Sequence, residues 1–320
     1  MLKDEYRLNA YKSAISRNKP LFKDKIVLDI GAGTGILSIF CAKAGARKVF
    51  AVEANLKMAE ICQKVIDDNN LKRIIKVYQG EIENIKLPQK VDIIISEWMG
   101  HYLFHEGMID SVLHARKYLK DGGKMFPETC HIYASMCELP DQYDFWKDVH
   151  GVDMSAVGEA YRKSSCDEPH IQLVDKKSLL CDPNVICSIN MYDIDPDSLK
   201  EICADNLAVM KRNGSIQGVC IWFSVDFPNG ISSERIYLST SPYQNPTHWK
   251  QTVIVLPREV VVEKSEPILY KLIFSKMAKR VYQISVQFSD PSDIAHPITC
   301  NCFYTKCIVS KTHLNGLQQI

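Results

Sequence analysis

The 320-residue sequence has no charge of one sign to spare: 39 Lys and Arg stand against 38 Asp and Glu, a formal net charge of +1. A surface that neutralises nucleic-acid phosphates carries a basic excess, so no direct nucleic-acid partner is expected. Also missing are a secretory leader and any apolar run of the roughly 18 residues that a membrane-crossing helix needs, so no membrane is expected among its partners. The 12 cysteines show no C-x-x-C pairing of the kind that builds zinc knuckles. They are scattered among apolar residues, and Cys300 and Cys302, two apart, suit one face of a strand better than a metal knot. No metal is therefore expected. Free thiols predict a reducing compartment, cytoplasm or nucleus.

What is present is a change of texture near Pro127. Up to residue 126, segments 26–30, 48–53, 75–79 and 91–96 read as apolar strands. Segments 36–44, 56–69 and 108–119 between them have helical spacing, the first stopped by Gly45 and the last by Asp121-Gly122-Gly123. This alternation predicts an α/β domain over 1–126, an open and mostly parallel sheet with helices on both faces. Past Pro127, strand signals dominate at 131–137, 185–189, 215–226, 252–255, 270–274, 282–288 and 303–309. They predict an antiparallel β-sandwich or barrel over 127–320. A polar helical stretch from about 141 to 175 interrupts them and is too long for a hairpin loop.

Two segments carry chemistry. The first is Gly31-Ala-Gly-Thr-Gly35, a turn between a buried strand and a helix, where glycine lets the backbone approach a ligand. Glu53 ends the following strand, where an acidic side chain can accept both ribose hydroxyls of an adenosine. NAD and S-adenosylmethionine both satisfy this pattern, so the loop leaves the two open.

The second segment runs Ser96-Glu97-Trp98-Met99-Gly100-His101-Tyr102-Leu103-Phe104-His105-Glu106. It follows the fourth strand, and in an open α/β sheet ligands sit beyond the carboxyl ends of strands. Glu97 and Glu106 facing one pocket would repel each other unless a cation or a shared proton lay between them. A guanidinium, planar with a fork of donors, is the natural cation. Trp98, Tyr102 and Phe104 are expected to wall that pocket and stack on the cation. Carboxylates holding the guanidinium bias its charge away from one terminal nitrogen, which can then attack a sulfonium methyl in line.

Four strings, Val27-Leu-Asp-Ile-Gly-Ala-Gly-Thr-Gly-Ile-Leu-Ser38, Ala42-Lys-Ala-Gly-Ala46, Val91-Asp-Ile-Ile-Ile-Ser-Glu-Trp-Met-Gly100 and Thr247-His-Trp-Lys-Gln-Thr252, closely resemble the protein arginine N-methyltransferase family. The resemblance implies a Rossmann-like S-adenosylmethionine-binding domain followed by a β-barrel. It implies an enzyme that methylates arginines of Arg/Gly-rich or histone-like proteins. Glu97 and Glu106 match the family's catalytic glutamates, Gly31 and Gly33 its cofactor loop, Glu53 its ribose ligand and Glu83 its adenine reader. Arg7 matches the arginine that grips the cofactor's carboxylate. His248 and Trp249 match the Thr-His-Trp loop lining the arginine pocket, with His248 paired to Asp4 and carrying the proton away. Met108 matches a methionine of members that form asymmetric dimethylarginine. The stretch from about 146 to 175 matches a dimerisation arm, which implies a homodimer.

The family normally carries a lid helix with a Tyr-Phe-x-x-Tyr motif ahead of Met-Leu-x-Asp, and this sequence opens at Met1-Leu-Lys-Asp4. A missing or incomplete lid makes a weak or inactive member, acting as a binding or regulatory partner, the alternative to an active enzyme. A small-molecule methyltransferase on the same fold is a third reading, opposed by the acidic pair and the β domain.

Overall fold

The computed structural model describes residues 2–166, 168–229, 235–297 and 300–317. Asp4 opens the first helix, α1 (Glu5–Arg17), by accepting the N–H of Arg7, and Pro20 sits in the first turn of the short α2 (Lys19–Phe22). There follow β1 (Ile26–Ile30), α3 (Ile36–Lys43), β2 (Lys48–Glu53), α4 (Leu56–Asp68), β3 (Ile75–Gln79), β4 (Val91–Ser96), α5 (Ile109–Ala115) and β5 (Leu119–Phe126). The five strands pair in parallel in the order β3-β2-β1-β4-β5. Every residue of β1 is buried, as expected of a central strand covered on both faces.

Strand order reverses between β1 and β4, the point at which such sheets open a ligand crevice. Ile30 and Ser96 are register partners there, and the Ser96 hydroxyl donates to the Ile30 carbonyl at 2.8 Å. Gly31 and Glu97, the next residue of each chain, are thereby set side by side at the crevice mouth.

One expectation in this half is corrected. The helix read over 108–119 ends at Ala115, and Asp121-Gly122-Gly123, read as its stop, lies inside β5. Gly123 belongs there because a Cβ would press on the Leu119 side chain and the Asp92 carbonyl.

The second half is antiparallel. It comprises β6 (Thr129–Cys137), α6 (Pro140–Tyr143), α7 (Ser155–Ser165), β7 (His170–Gln172), β8 (Asn184–Asn190), β9 (Glu201–Val209), β10 (Gly214–Asp226), β11 (Tyr237–Ser239), β12 (Gln251–Val262), β13 (Pro267–Ala278), β14 (Val281–Ser289) and α8 (Thr305–Leu317). One sheet runs β7-β12-β10-β6-β8, with β11 on β10, and a second runs β14-β13-β9. A continuous apolar core joins these sheets to the parallel one. Strand β9 had no counterpart in the sequence reading, because Glu201, Asp205 and Asn206 break its apolar alternation.

Segment 303–309, expected as a strand, instead opens α8: the N–H groups of Cys307 and Ile308 donate to the Tyr304 carbonyl. Cys300 and Cys302 lie outside any strand and meet Cys307 and His296 in one cluster. The expectation of cysteines on a strand face fails there, since local helix bonds displace the ladder. Among the described residues no helix is long and apolar enough to cross a membrane.

Candidate functional site

The glycine turn after β1 is held by β2. Gly31 N–H and Ala32 N–H both donate to the Val52 carbonyl. Glu53 ties the turn from the other side, accepting from Gly33 N–H at 2.8 Å and from Asn55 N–H at 2.9 Å. Gly31 has φ +70°, and a Cβ there would overlap the Met108 methyl, so the turn excludes side chains for two reasons. Ile30, Gly31, Glu53, Glu83, Met108 and Ser111 line one cavity. Glu83 accepts from the Ser111 hydroxyl at 2.8 Å. Burial opposes its charge, yet that bond and nearby cations hold its carboxyl below the usual range. Four predicted residues, Gly31, Gly33, Glu53 and Glu83, are therefore gathered at one place. Met108, expected beside substrate, is gathered with them.

Beyond β4 the chain folds into a tight hairpin. Gly100 and Leu103 exchange two backbone hydrogen bonds, and His101 bridges to His105. A Cβ on Gly100 would overlap the His105 carbonyl oxygen. Tyr102, Leu103 and Glu106 all sit at positive φ, 42°, 77° and 59°. Such backbone is held only where surroundings over-determine it. Here the Tyr102 hydroxyl donates to the Tyr282 carbonyl, Glu106 N–H donates to the Arg280 carbonyl, and Phe104 stacks on Tyr282 at 5.0 Å between centroids.

Two of the three hairpin aromatics expected to wall a cation pocket pack on the barrel instead. Tyr102 and Phe104 are buried against Phe274 and Tyr282, and Trp98 is buried as well. The ring that meets a cation is Trp249, 4.9 Å from the Arg7 guanidinium carbon. Trp249 is fixed from both sides of the seam: its indole N–H donates to the Met99 carbonyl, and its own carbonyl meets His101 Nδ1 at 3.2 Å.

Glu97, Arg7, His248 and Asp4 form one chain of contacts. Arg7 Nη1 donates to Glu97 Oε2 at 3.1 Å and faces His248 Nε2 at 3.2 Å. Arginine only donates, so His248 Nε2 is the acceptor and Nδ1 carries the proton. Nδ1–H points at Asp4 Oδ2, 3.1 Å away, and the backbone N–H of His248 donates to the same oxygen. The pairing of His248 with Asp4 is thus present. Burial and the Arg7 charge lower the imidazole below its ordinary value. Burial pushes Glu97 up to about 7 although Arg7 pulls the other way.

Among the buried atoms here that make no hydrogen bond are Glu97 Oε1 and Arg7 Nε, the latter 3.8 Å from Asp4 Oδ2; Trp98 Nε1 and Thr247 Oγ1 are others. An unpaired buried acceptor beside an unpaired buried donor marks a site shaped for something else. A ligand carboxylate fits Arg7 Nε, and a donor-rich cation fits Glu97 Oε1.

Glu106 is the second predicted acid. It is exposed, nine residues from Glu97 along the hairpin, and its charge acts on His101. Glu97, by contrast, is held against Arg7. The backbone of Glu106 is αL, and its N–H donates to the Arg280 carbonyl.

Two residues at the site had no sequence assignment. Tyr11, one helical turn after Arg7 on the same face of α1, donates its hydroxyl to the Ser96 carbonyl at 2.9 Å and seats the helix over β4. Asp29, fully buried in β1, receives the Ser38 hydroxyl at 2.6 Å and is pushed up to about 7 by burial. A lone acid in an otherwise apolar strand was the available signal.

Comparison with known proteins agrees with this geometry. The family model described as the arginine methyltransferase oligomerization subdomain matches residues 128–292, and a methyltransferase domain model matches 27–123. A probable protein arginine N-methyltransferase 1.2 of Arabidopsis thaliana is 36% identical, over 98% of this chain and 82% of the relative. Protein arginine N-methyltransferase 1.1 of the same plant is 38% identical, over 90% and 74%. Among solved structures, the Trypanosoma brucei PRMT1 enzyme-prozyme heterotetrameric complex with AdoHcy superposes with a TM-score of 0.81 at 33% identity, covering 93% of this chain and 94% of that one. Protein arginine methyltransferase 10 of Arabidopsis thaliana gives 0.79 at 31% identity, covering 90% of each. With glycine turn, buried acid and Thr-His-Trp loop brought to one crevice, and relatives of this identity along nearly its whole length, the chain belongs to the S-adenosylmethionine-dependent protein arginine N-methyltransferase family.

Proposed function

We propose that this chain transfers methyl groups from S-adenosylmethionine to guanidinium nitrogens of protein arginines, forming monomethyl- and asymmetric dimethylarginine. One observation carries the reading: Glu97 Oε1 is buried without a donor at the mouth of the crevice that the glycine turn opens. A guanidinium supplies such donors in a planar fork.

When bound, S-adenosylmethionine supplies an electrophilic sulfonium methyl. Glu53, held by Gly33 and Asn55, retains lone pairs for ribose hydroxyls, and Glu83 is charged and oriented to accept from adenine. Arg7 Nε makes no hydrogen bond, its ion-pair contact with Asp4 being 3.8 Å long, and is offered to the cofactor's carboxylate. Glu97 draws positive charge toward the nitrogen it holds and leaves the other terminal nitrogen more nucleophilic. Glu106 is the second carboxylate of the pair. His248, lowered in pKa and oriented by Asp4, receives the released proton at Nε2 when Arg7 Nη1 no longer donates there. Trp249 flanks the arginine, and Met108, over Gly31, limits room at the methyl-transfer point.

The domains divide at about residue 126, and the arm over 146–175 serves a homodimer. Exposed Phe145, Val152, Met154, Val157 and Tyr161 on or beside that arm support this. Arg/Gly-rich or histone-like proteins in cytoplasm or nucleus are the proposed substrates.

Mass spectrometry of an Arg/Gly-rich peptide incubated with the chain and S-adenosylmethionine is expected to show +14 and +28 Da arginines, at about one and two methyl groups, with the neutral loss of asymmetric dimethylation. Cofactor binding with no methylarginine would leave the non-catalytic reading. A second outcome is expected at the ribose contact. Glu53→Ala should raise the AdoHcy dissociation constant about 10- to 100-fold, the cost of losing hydrogen bonds to a charged group. Calorimetry checks it, and an unchanged affinity would remove Glu53 from the cofactor site.

A further inference from the structure

The barrel holds a second cluster, far along the sequence from the methyl-transfer residues. His296, Cys300, Cys302 and Cys307 each turn one ligand atom toward a common point, all four within 4.8 Å of one another. The three Sγ atoms lie 3.5, 3.2 and 3.2 Å from His296 Nδ1. A tetrahedral zinc with Zn–S of about 2.3 Å and Zn–N of about 2.0 Å spaces its ligand atoms about 3.5 to 3.8 Å apart.

Hydrogen bonding alone does not account for the arrangement. His296 Nε2 faces the Pro291 carbonyl at 3.1 Å, an acceptor only, so Nε2 carries a proton and Nδ1 of the neutral ring offers one lone pair. One lone pair serves one thiol, so of the three around it two are left to weak sulfur acceptors, Cys300 meeting Cys302 and Cys307. A bond from the distal N–H to a backbone carbonyl is the usual orienting contact of a metal-bound histidine. Tyr304 stacks on the other face of the ring at 5.4 Å. All three cysteines are buried and unbridged.

The helix that follows supplies an independent observation. Of the described side chains of α8, Cys307 is the buried one, while Ile308, Val309 and Leu314 are exposed. A helix without a core-facing stripe gains little from packing. Apolar contact between α8 and Leu207 and Val209 of β9 comes through this small cysteine cluster alone among the described side chains of the helix.

We propose that His296, Cys300, Cys302 and Cys307 form a structural Cys₃His zinc site that fastens α8 to the barrel. Thiolate and imidazole ligands select zinc among common cellular divalent ions, and four protein ligands close the site to solvent and substrate.

Elemental analysis of the full chain purified under reducing conditions is expected to find about one zinc per chain. Cys302→Ser and Cys307→Ser should each lose most of it, and Cys203→Ser, altering an exposed thiol of β9, should keep it. Cobalt exchanged into wild-type protein should show thiolate charge-transfer and tetrahedral d–d bands. Because the serine variants can also fail to fold, chelated wild-type protein is compared by hydrogen exchange. Amides over 300–317 should lose protection about tenfold or more on metal removal while β4 keeps its own. Reduced protein that refuses both zinc and cobalt, a disulfide among these cysteines under the same conditions, or equal zinc loss in Cys203→Ser would each overturn the proposal.

Discussion

Glu97→Gln is expected to lower kcat on an arginine peptide by about 10³-fold, the upper range for removing one preorganised electrostatic group. AdoHcy affinity should change by less than about threefold, since the Gln oxygen can still accept from Arg7, the cofactor residue that Glu97 touches, and the glycine turn and Glu53 belong to other elements. Gln keeps the shape and one acceptor but cannot carry the charge that polarises a guanidinium. The same side chain sets a pH dependence. Burial pushes Glu97 up to about 7, so below that pH the carboxyl is protonated and cannot pair with a cation. The kcat/KM should therefore climb with pH through about 7 and then level. Stopped assays across that interval check it: the rise should be present in wild type and absent from the residual activity of Glu97→Gln. A variant with near-normal kcat would remove Glu97 from the chemistry.

Gly100→Ala should cost about 10²-fold in kcat/KM, the scale of an ångström-sized misplacement, and about 3 kcal/mol of stability. The added methyl overlaps the His105 carbonyl, which is backbone and cannot swing aside. Opening the hairpin breaks the paired Gly100–Leu103 bonds and moves Met99, whose carbonyl receives the Trp249 indole. Thermal melts should fall by roughly 4 to 5 °C, with AdoHcy still bound. An unchanged melt with full activity would show that the hairpin tolerates distortion the packing forbids.

Much of the crevice was legible beforehand because its signals are local. Gly31 and Gly33 announce a left-handed turn, and Glu53 ends a strand whose apolar run is unbroken. Asp4 and His248, 244 residues apart, were matched through the Thr-His-Trp string, and their contact is present. What could not be read depends on backbone direction or remote partners. The αL conformation of Glu106 and the bond of its N–H to Arg280 depend on a partner far downstream. The enzyme reading rests on Glu97 and on family membership. Tyr102 and Phe104 were expected in a cation pocket, but the barrel beneath the hairpin claims their apolar area first. The meeting of His296 with Cys300, Cys302 and Cys307 was hidden for a related reason: spacings of two and five fit no familiar zinc motif, and the histidine stands four residues before the first cysteine.

Arg280 sits in the turn between β13 and β14, at φ +67°, and its carbonyl receives Glu106 while that of Tyr282 receives Tyr102. The loop that carries the chemistry is thus moulded by a bend encoded far downstream, in the other half of the gene. Chimeras that splice one half from a distant relative will inherit a mismatched joint unless the 278–282 bend travels with the hairpin, so drift in either is answerable to the other.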